Sequence, residues 1–552
     1  MYISNLIKPF LSNNKNILIV YFIFALLSYP LESLVIPKIF GKFFSEIKLN
    51  KNTYYIFFLK TIFFTLFINV CNSVMTYLDS IIIPKFNEYI VNYIYKKLLL
   101  NYQNSYSNLE LGKIVSRLNT LPGVIRELTT DLFNWLLPRA LSIIIINIYL
   151  LYTEPILGII SIGLLAIILY YNYITYNKCI KISEERYKKY ENRAEETQDK
   201  LSNLFSIYSS GNINKEIQKY ESSNKDYRKS YEKTILCSSK IKFVNTFIQC
   251  LMFIVLNGII IYNYKNKKID FAKMISLNMI VSYYIPCIST LMTSLPDYTN
   301  HIGIIKSLDK FLKMLEKKED SRPELLINNG VINIKNLTFS YDNKNKIFDN
   351  FTLEIKNREK IGLLGTSGNG KSTLIKLIMG YYTIPNNTIF IDNKDINNYN
   401  LESIRSQISY LNQNTKLFNN TVYYNIQYGN NLTTNKIDEL IKNFNLNSVF
   451  SNLTNGFNTN VGVNGDNLSG GQKQIIQLLR EYGKVIMNKI KIIILDEPTS
   501  SVDPYTKDII IKIIDYISTN ITTIIVTHDI SNLNIVNRII TLNNGKIIES
   551  NI

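Results

Sequence analysis

The chain is 552 residues long, more than one compact domain ordinarily holds. Hydrophobic residues make up 46% and charged residues 19%, against about 25% charged in an average globular domain. The two halves differ. Residues 1–300 hold long uncharged apolar runs, whereas residues 331–552 alternate polar and apolar segments, which excludes a wholly soluble chain. The formal net charge of +18 suits either nucleic acid or an anionic membrane surface. Fifteen Lys and Arg residues fall in Lys178–Lys242, between two apolar runs, and favour the membrane through the positive-inside rule. Two histidines exclude a multi-histidine metal centre. The five cysteines (Cys71, Cys179, Cys237, Cys250 and Cys287) fit neither a zinc site nor a redox pair by spacing and are expected to be packing residues. The N-terminal apolar stretch Ile17–Leu31 lacks a small-residue cleavage site and does not resemble a cleaved signal.

A membrane-spanning helix needs roughly 20 mostly apolar residues. Six stretches qualify: Asn16–Phe40, Tyr55–Ile83, Leu132–Tyr152, Pro155–Asn177, Phe243–Tyr264 and Met274–Pro296. An even number keeps both termini on one side. The loops Pro84–Asp131 and Lys178–Lys242, with six and fifteen Lys/Arg, mark that side as cytoplasmic. The charged, helix-prone segment Glu184–Lys200 reads as a solvated extension of the fourth span. Glu32, Asp79 and Arg139 lie within or beside spans; such charges either mark a functional site or snorkel to an interface, and snorkelling is the commoner arrangement. Trp135 suits a membrane–water boundary. A helical pattern over Lys306–Lys318 is broken at Arg322-Pro323, so the chain divides into a transmembrane domain at 1–305, a linker at 306–330 and a second domain at 331–552.

The second domain carries Gly365-Thr366-Ser367-Gly368-Asn369-Gly370-Lys371-Ser372-Thr373, a Walker A loop. The buried-strand run Lys360–Leu364 precedes it and an apolar helix, Thr373–Tyr381, follows. Glycines let the backbone curl so that its N–H groups cradle phosphate oxygens, and the helix N-terminus adds positive potential. Lys371 is placed for the β- and γ-phosphates and the Ser372 hydroxyl for Mg²⁺. The strand Ile492–Leu495 followed by Asp496-Glu497 reads as Walker B. Asp496 holds Mg²⁺ and Glu497 polarises the attacking water, since phosphoryl transfer is mostly positioning and charge stabilisation.

Between them lies Leu468-Ser469-Gly470-Gly471-Gln472. With this order of motifs the sequence resembles the ATP-binding-cassette transporters, closely from Val331 onward and by span count before it. The resemblance implies an all-α six-helix transmembrane domain followed by an α/β P-loop ATPase, the arrangement of exporter-type half-transporters. It implies that Tyr341 stacks on adenine, that Gln413 contacts Mg²⁺ or water, that Asp503 in Ser501-Val502-Asp503 lies at a dimer interface, and that His528 contacts the γ-phosphate. It further implies that Ser469, Gly470, Gly471 and Gln472 face a nucleotide held by another copy's Walker A loop. The partner is then a second copy or a related half-transporter, within lipid, moving an unidentified substrate, with no nucleic acid. The stretch Leu111–Leu118 is similar to the first intracellular loop of six-span exporters.

Val463 stands where exporters usually have a glutamate that couples the ATPase to the membrane loops, and Lys473 and Val502 replace a common arginine and leucine. The Val463 departure leaves open an ATP-gated membrane regulator or channel on the same scaffold. A soluble cassette ATPase acting on nucleic acid is opposed by the uncharged runs Pro155–Asn177 and Phe243–Tyr264.

Overall fold

Apolar runs of this length satisfy every backbone N–H and C=O internally only as helices. The computed structural model describes residues 2–101, 110–315, 320–341, 346–366, 368–413, 416–487, 490–500, 502–528, 534–543 and 545–551. The chain forms two compact units, Met1–Lys317 and Lys318–Ile552.

The first unit is helical. A short helix, α1 (Tyr2–Asn13), precedes α2 (Lys15–Pro30), which runs through a π-helical turn at Leu31–Val35 into α3 (Ile36–Lys48). Then come α4 (Tyr54–Asn101) and α5 (Leu111–Asp131), the latter passing through a second π-helical turn at Leu132–Leu136 into α6 (Leu137–Thr153). After them lie α7 (Pro155–Ser202), α8 (Leu204–Ser209), α9 (Ile213–Lys265), α10 (Phe271–Ser307) and α11 (Asp309–Leu315). Among the described residues five helical stretches are long and apolar enough to cross a membrane: Lys15–Lys48, Tyr54–Asn101, Pro155–Ser202, Ile213–Lys265 and Phe271–Ser307. The sixth expected span falls on α6, whose 17 apolar residues are continuous with α5 through the π turn. Trp135 lies in that turn, and its side chain falls outside the described residues. Large side chains such as Phe58, Phe63, Leu66 and Val70 on α4 are exposed, as lipid-facing residues are.

Polar side chains stitch the helices inside the bundle. Asn147 donates to the Tyr284 hydroxyl at 2.8 Å and accepts from Ser161 at 2.7 Å, while Asn172 and Asn245 exchange amide hydrogen bonds at 2.9 and 3.1 Å. Glu32 and Arg139 also face neighbouring helices, which corrects the snorkelling arrangement. Glu32, in the first π turn, accepts from the Tyr283 hydroxyl at 3.2 Å, and Arg139 reaches the Cys287 sulfur at 3.7 Å. Glu191, within the segment expected to be solvated, is buried against Arg117 at 2.6 Å. The cysteine expectation fails at one pair: Cys179 on α7 and Cys237 on α9 are disulfide-bonded, their Cα atoms 5.9 Å apart.

The second unit is an α/β layered domain. A four-stranded antiparallel sheet has the order β2-β1-β4-β5, from β1 (Ile332–Phe339), β2 (Phe348–Ile355), β4 (Ile389–Ile391) and β5 (Lys394–Asp395). A six-stranded sheet has the order β10-β9-β3-β8-β7-β6. Its members are β3 (Lys360–Leu364), β6 (Ile408–Leu411), β7 (Ile492–Asp496), β8 (Thr522–Val526), β9 (Arg538–Asn543) and β10 (Lys546–Asn551). All its pairings are parallel except β9–β10. Strands β7 and β8 are buried throughout, as a parallel sheet covered on both faces requires. The helices are α12 (Lys371–Ile378), α13 (Leu401–Ser406), α14 (Val422–Gln427), α15 (Thr434–Asn443), α16 (Gly470–Met487) and α17 (Pro504–Ile517). Helix α12 buries Leu374, Ile375, Leu377 and Ile378 in the core that the two sheets share, and α16 buries Ile475, Ile476, Leu478 and Leu479 in a second one. The apolar helix expected at Thr373–Tyr381 therefore starts two residues earlier and stops sooner.

Candidate nucleotide site

The parallel register brings the C-terminal ends of β3, β7 and β8 side by side: Leu363 pairs with Val526, and Asp496 with Val526 on the other flank. Ligands of open α/β sheets bind at this edge. The chain after β3 must turn sharply to start α12, and it does so at positive φ: Gly365 at 150°, Gly368 at 91° and Gly370 at 93°. A Cβ on Gly370 would lie 2.9 Å from Ile347 and 3.0 Å from Phe348, so only glycine fits. The Asn369 amide pins the loop by donating to the Leu542 carbonyl at 2.9 Å.

A cavity of about 790 Å³, counting the part open to solvent, lies over this loop. It is lined by Tyr341, Ile347, Gly368, Gly370, Lys371, Ser372, Thr373, Gln413, Asp496, Glu497 and His528. At one end Tyr341 meets Phe339 and Tyr382 edge-on, with centroids 5.3 and 5.2 Å away, and its hydroxyl lies 3.0 Å from the Thr373 hydroxyl. At the other end the buried Lys371 ammonium donates to the Gly365 carbonyl at 2.5 Å and lies 3.4 Å from His528 Nε2. Burial lowers its pKa against the pull of Glu497 and Asp496. The Ser372 and Tyr410 hydroxyls both donate to Asp496 Oδ2 at 3.5 Å. Burial first, then the neighbouring Glu497, raises the Asp496 pKa above the usual carboxylate range, while Ser372, Tyr410 and Lys371 oppose the rise. Glu497 sits at φ 52°, its N–H donating to the Val526 carbonyl at 2.9 Å, and its Oε1 lies 3.2 Å from His528 Nε2.

Of the residues expected from the Walker motifs, Gly368, Gly370, Lys371, Ser372, Thr373, Asp496 and Glu497 line the cavity with Tyr341, Gln413 and His528, whereas Gly365, Thr366 and Asn369 are not in its lining; Ser367 and Ser501 fall outside the described residues. Mg²⁺ is a hard cation that takes oxygen ligands, and the oxygens of Ser372, Gln413 and Asp496 that could hold it belong to residues lining this cavity.

The signature residues are elsewhere. None of Ser469–Gln472 lines the cavity. Gln472, expected at the nucleotide, is buried and turned into its own domain. Its carbonyl oxygen accepts from Ser469 N–H at 3.0 Å, and its amide donates to the Val449 carbonyl and to Asn452 Oδ1, both at 2.8 Å. Ser469 accepts in return from Gln472 N–H at 3.3 Å, a reciprocal cap on α16. Asp503, expected at an interface, caps α17 through Thr506 N–H at 3.0 Å, and the Thr506 hydroxyl first, then that N–H, hold its carboxyl below the usual range. Sequence reasoning missed Tyr410, Tyr382 and Ile347. Tyr410 could have been found, because it lies three residues before Gln413 on a strand ending at the same sheet edge.

Residues 16–285 match the family described as the ABC transporter transmembrane region, and residues 348–500 match the family described as ABC transporter. The chain is 41% identical over 203 residues to an ABC transporter ATM1 of Plasmodium falciparum, covering 36% of this chain and 19% of that protein. It is 31% identical over 236 residues to an ATP-dependent lipid A-core flippase of Francisella tularensis, covering 42% of this chain and 38% of the relative. It is 33% identical over 234 residues to the multidrug resistance-like ATP-binding protein MdlB of Buchnera aphidicola, covering 42% and 40%. The matched stretches thus span less than half of each of these relatives. The fold is similar to that of a bacterial Atm1-family ABC exporter solved with ATP bound, with a TM-score of 0.88 at 19% identity over 97% of this chain and 95% of that one. A transmembrane region and an ATP-binding cassette, matched in that order along one polypeptide, make this chain a member of the ABC transporter family.

Proposed function

We propose that the chain is one half of an ATP-driven exporter, with its ATPase domain in the cytoplasm, and that two copies, or this chain and a related half-transporter, together make two ATP sites. The observation that carries this reading is the division of the motifs. One cavity gathers Tyr341, Lys371, Ser372, Gln413, Asp496, Glu497 and His528, while the signature residues of the same chain lie outside its lining. A signature loop from another copy completes the site in this reading.

Tyr341 offers a ring face to the adenine. Loop N–H groups and the α12 N-terminus meet the phosphates, and Lys371 lies at the terminal ones. Ser372, Asp496 and Gln413 would hold Mg²⁺, which supplies charge neutralisation at the β- and γ-oxygens. Glu497 orients the attacking water, and His528, 3.2 Å from it, keeps the carboxylate turned toward the cavity. The export direction follows from a membrane domain fused ahead of its ATPase domain.

The test uses the full chain in lipid nanodiscs. Mg²⁺-dependent ATP hydrolysis should be present in wild type and fall at least 100-fold in Glu497→Gln, with ATP binding retained. Hydrolysis unchanged in the variant removes Glu497 from catalysis. ATP-dependent accumulation of cargo in inside-out vesicles is the direct measure of export.

A further inference from the structure

Three turns meet at the end of the membrane unit opposite the long extensions of α7 and α9. Residues 49–53 join α3 to α4, Glu154 joins α6 to α7, and residues 266–270 join α9 to α10. Side chains tie them together. The Lys48 ammonium donates to the Tyr264 hydroxyl at 3.1 Å and lies 4.2 Å from the Phe271 ring centroid. Glu154 accepts from the Lys273 ammonium at 2.7 Å and from the Asn263 amide at 3.1 Å.

This end is basic. Over residues 42–60, at Glu154 and over residues 265–273 the chain carries eight lysines against three carboxylates. The carboxylates are already committed: Glu154 to Lys273 and Asn263, Asp270 to the Lys273 N–H at 2.8 Å as the cap of α10, and Glu46 to the Thr53 hydroxyl. Only Lys273 gains an ion pair from them. Lys42, Lys48, Lys51, Lys265, Lys267 and Lys268 are all exposed, and among the described residues none of the six is ion-paired. The positive-inside preference disfavours lysines on the far side of a bilayer. Unmatched like charges on adjoining turns raise the local potential and draw anions.

The neighbours of these lysines say which anion. Phe43 meets Tyr54 and Phe58 with centroids 6.4 and 5.8 Å away, and the Tyr54 and Tyr55 rings are 4.0 Å apart. Phe44, Leu49, Tyr55 and Tyr262 are exposed. Aromatic rings gather where a helix passes from hydrocarbon to headgroups. Lysine stems lie along the apolar layer there and carry their ammonium groups out to the polar one. Free phosphate or a soluble acidic polymer would use the charges and leave the rings idle. An acidic phospholipid uses both, with its chains against the rings and its headgroup against the lysines.

We infer that this end of the membrane unit is a binding surface for the anionic headgroups of phospholipids in the leaflet facing away from the cytoplasm. The choice of leaflet rests on the cytoplasmic placement of the ATPase domain. The binding goes beyond the export reading, since it requires neither cargo nor ATP turnover.

The experiment is hydrogen exchange on the full chain in nanodiscs without nucleotide, read by mass spectrometry over residues 45–56 and 262–273. Discs of phosphatidylcholine are compared with discs in which about a third is phosphatidylglycerol of the same acyl chains. Exchange in both turns should slow about threefold or more in the acidic discs, as a polybasic surface on an anionic leaflet implies. A variant with Lys42, Lys48, Lys51, Lys265, Lys267 and Lys268 all changed to Gln should lose the difference, and Lys178→Gln, Lys181→Gln, beyond the other end of the fourth span, should keep it. No slowing in acidic discs, an undiminished effect in the six-lysine variant, or equal slowing in neutral discs by inorganic phosphate or soluble polyglutamate overturns the inference. Where the six-lysine variant does not fold, Lys265→Gln, Lys267→Gln, Lys268→Gln decides: a smaller lipid effect over residues 262–273 supports the surface and an undiminished one overturns it. The Glu497→Gln hydrolysis comparison bears on the export reading alone, so the two failures are distinguishable.

Discussion

Gln472 is the signature residue whose role can be separated most cleanly. Its side chain makes three hydrogen bonds, at 3.0, 2.8 and 2.8 Å, to Ser469 N–H, the Val449 carbonyl and Asn452. Truncation in Gln472→Ala removes all three. At about 1 kcal/mol net per bond the loss is about 3 kcal/mol. For a domain of this size each kcal/mol moves a melting midpoint by about 2–4 °C, so the ATPase domain should melt roughly 6–12 °C lower. Gln472→Glu keeps the acceptor for Ser469 but sets a buried carboxylate against two acceptor oxygens, the Val449 carbonyl and Asn452 Oδ1, and should melt at least as low. The assay is the apparent unfolding temperature of the full chain in nanodiscs, alongside fluorescent-nucleotide binding. Binding to the Walker cavity should persist at temperatures where the variant is folded, because Gln472 is not in its lining. An unchanged unfolding temperature together with lost hydrolysis would refute this account and return Gln472 to direct contact with nucleotide.

Asp496→Asn should separate stability from function. The folded-state pKa of Asp496 is raised, so its ionised form is disfavoured in the native state. The penalty is absent at pH below the unfolded carboxylate pKa, develops as pH rises, and is complete above the folded pKa. The neutral variant should therefore melt higher than wild type at pH 7.5, converge with it in acid, and lose Mg²⁺-dependent hydrolysis; lower stability at pH 7.5 would contradict the sign. Tyr341→Ala removes a ring held by Phe339 and Tyr382. Stacking of about 0.5–1.5 kcal/mol implies a KM for ATP raised up to about tenfold with kcat little changed. Tyr341→Phe, which loses only the Thr373 contact, should stay within about twofold.

The ATPase half was legible because its chemistry is local in sequence. Strands Lys360–Leu364 and Thr522–Val526 appear as short runs without polar alternation beyond their first residues, since a parallel strand buried on both faces has no polar side to alternate with. Much of the rest depends on packing that sequence does not display. Gln472 reads like its neighbours, and only the turn at Val449–Asn452 reveals that it faces inward. Cys179 and Cys237 are 58 residues apart, and only the packing of α7 against α9 brings them together. Glu32 and Arg139 read more readily as snorkelling charges; π turns beside them and partners on α10 settle their direction. The third expected span, Leu132–Tyr152, falls on the π turn and α6, and only the structure shows that the more polar α5 runs into it as one continuous helix.

Helices α7 and α9 run 48 and 53 residues without a break. At about 1.5 Å per residue they are roughly 72 and 80 Å long, and a hydrocarbon layer of about 30 Å leaves some 40–50 Å protruding. Each is then a rigid rod pivoted in the bilayer with its longer arm outside. A tilt of only about 5° carries the tip of a 50 Å arm roughly 4 Å, most of one helical turn of about 5.4 Å. Bracing between the rods, such as Arg193 over Tyr227 at 4.2 Å, makes them swing as a pair. Geometry of this kind has mechanical advantage: angstrom-scale displacements at the free end become small, stiff rotations where the rods cross the lipid.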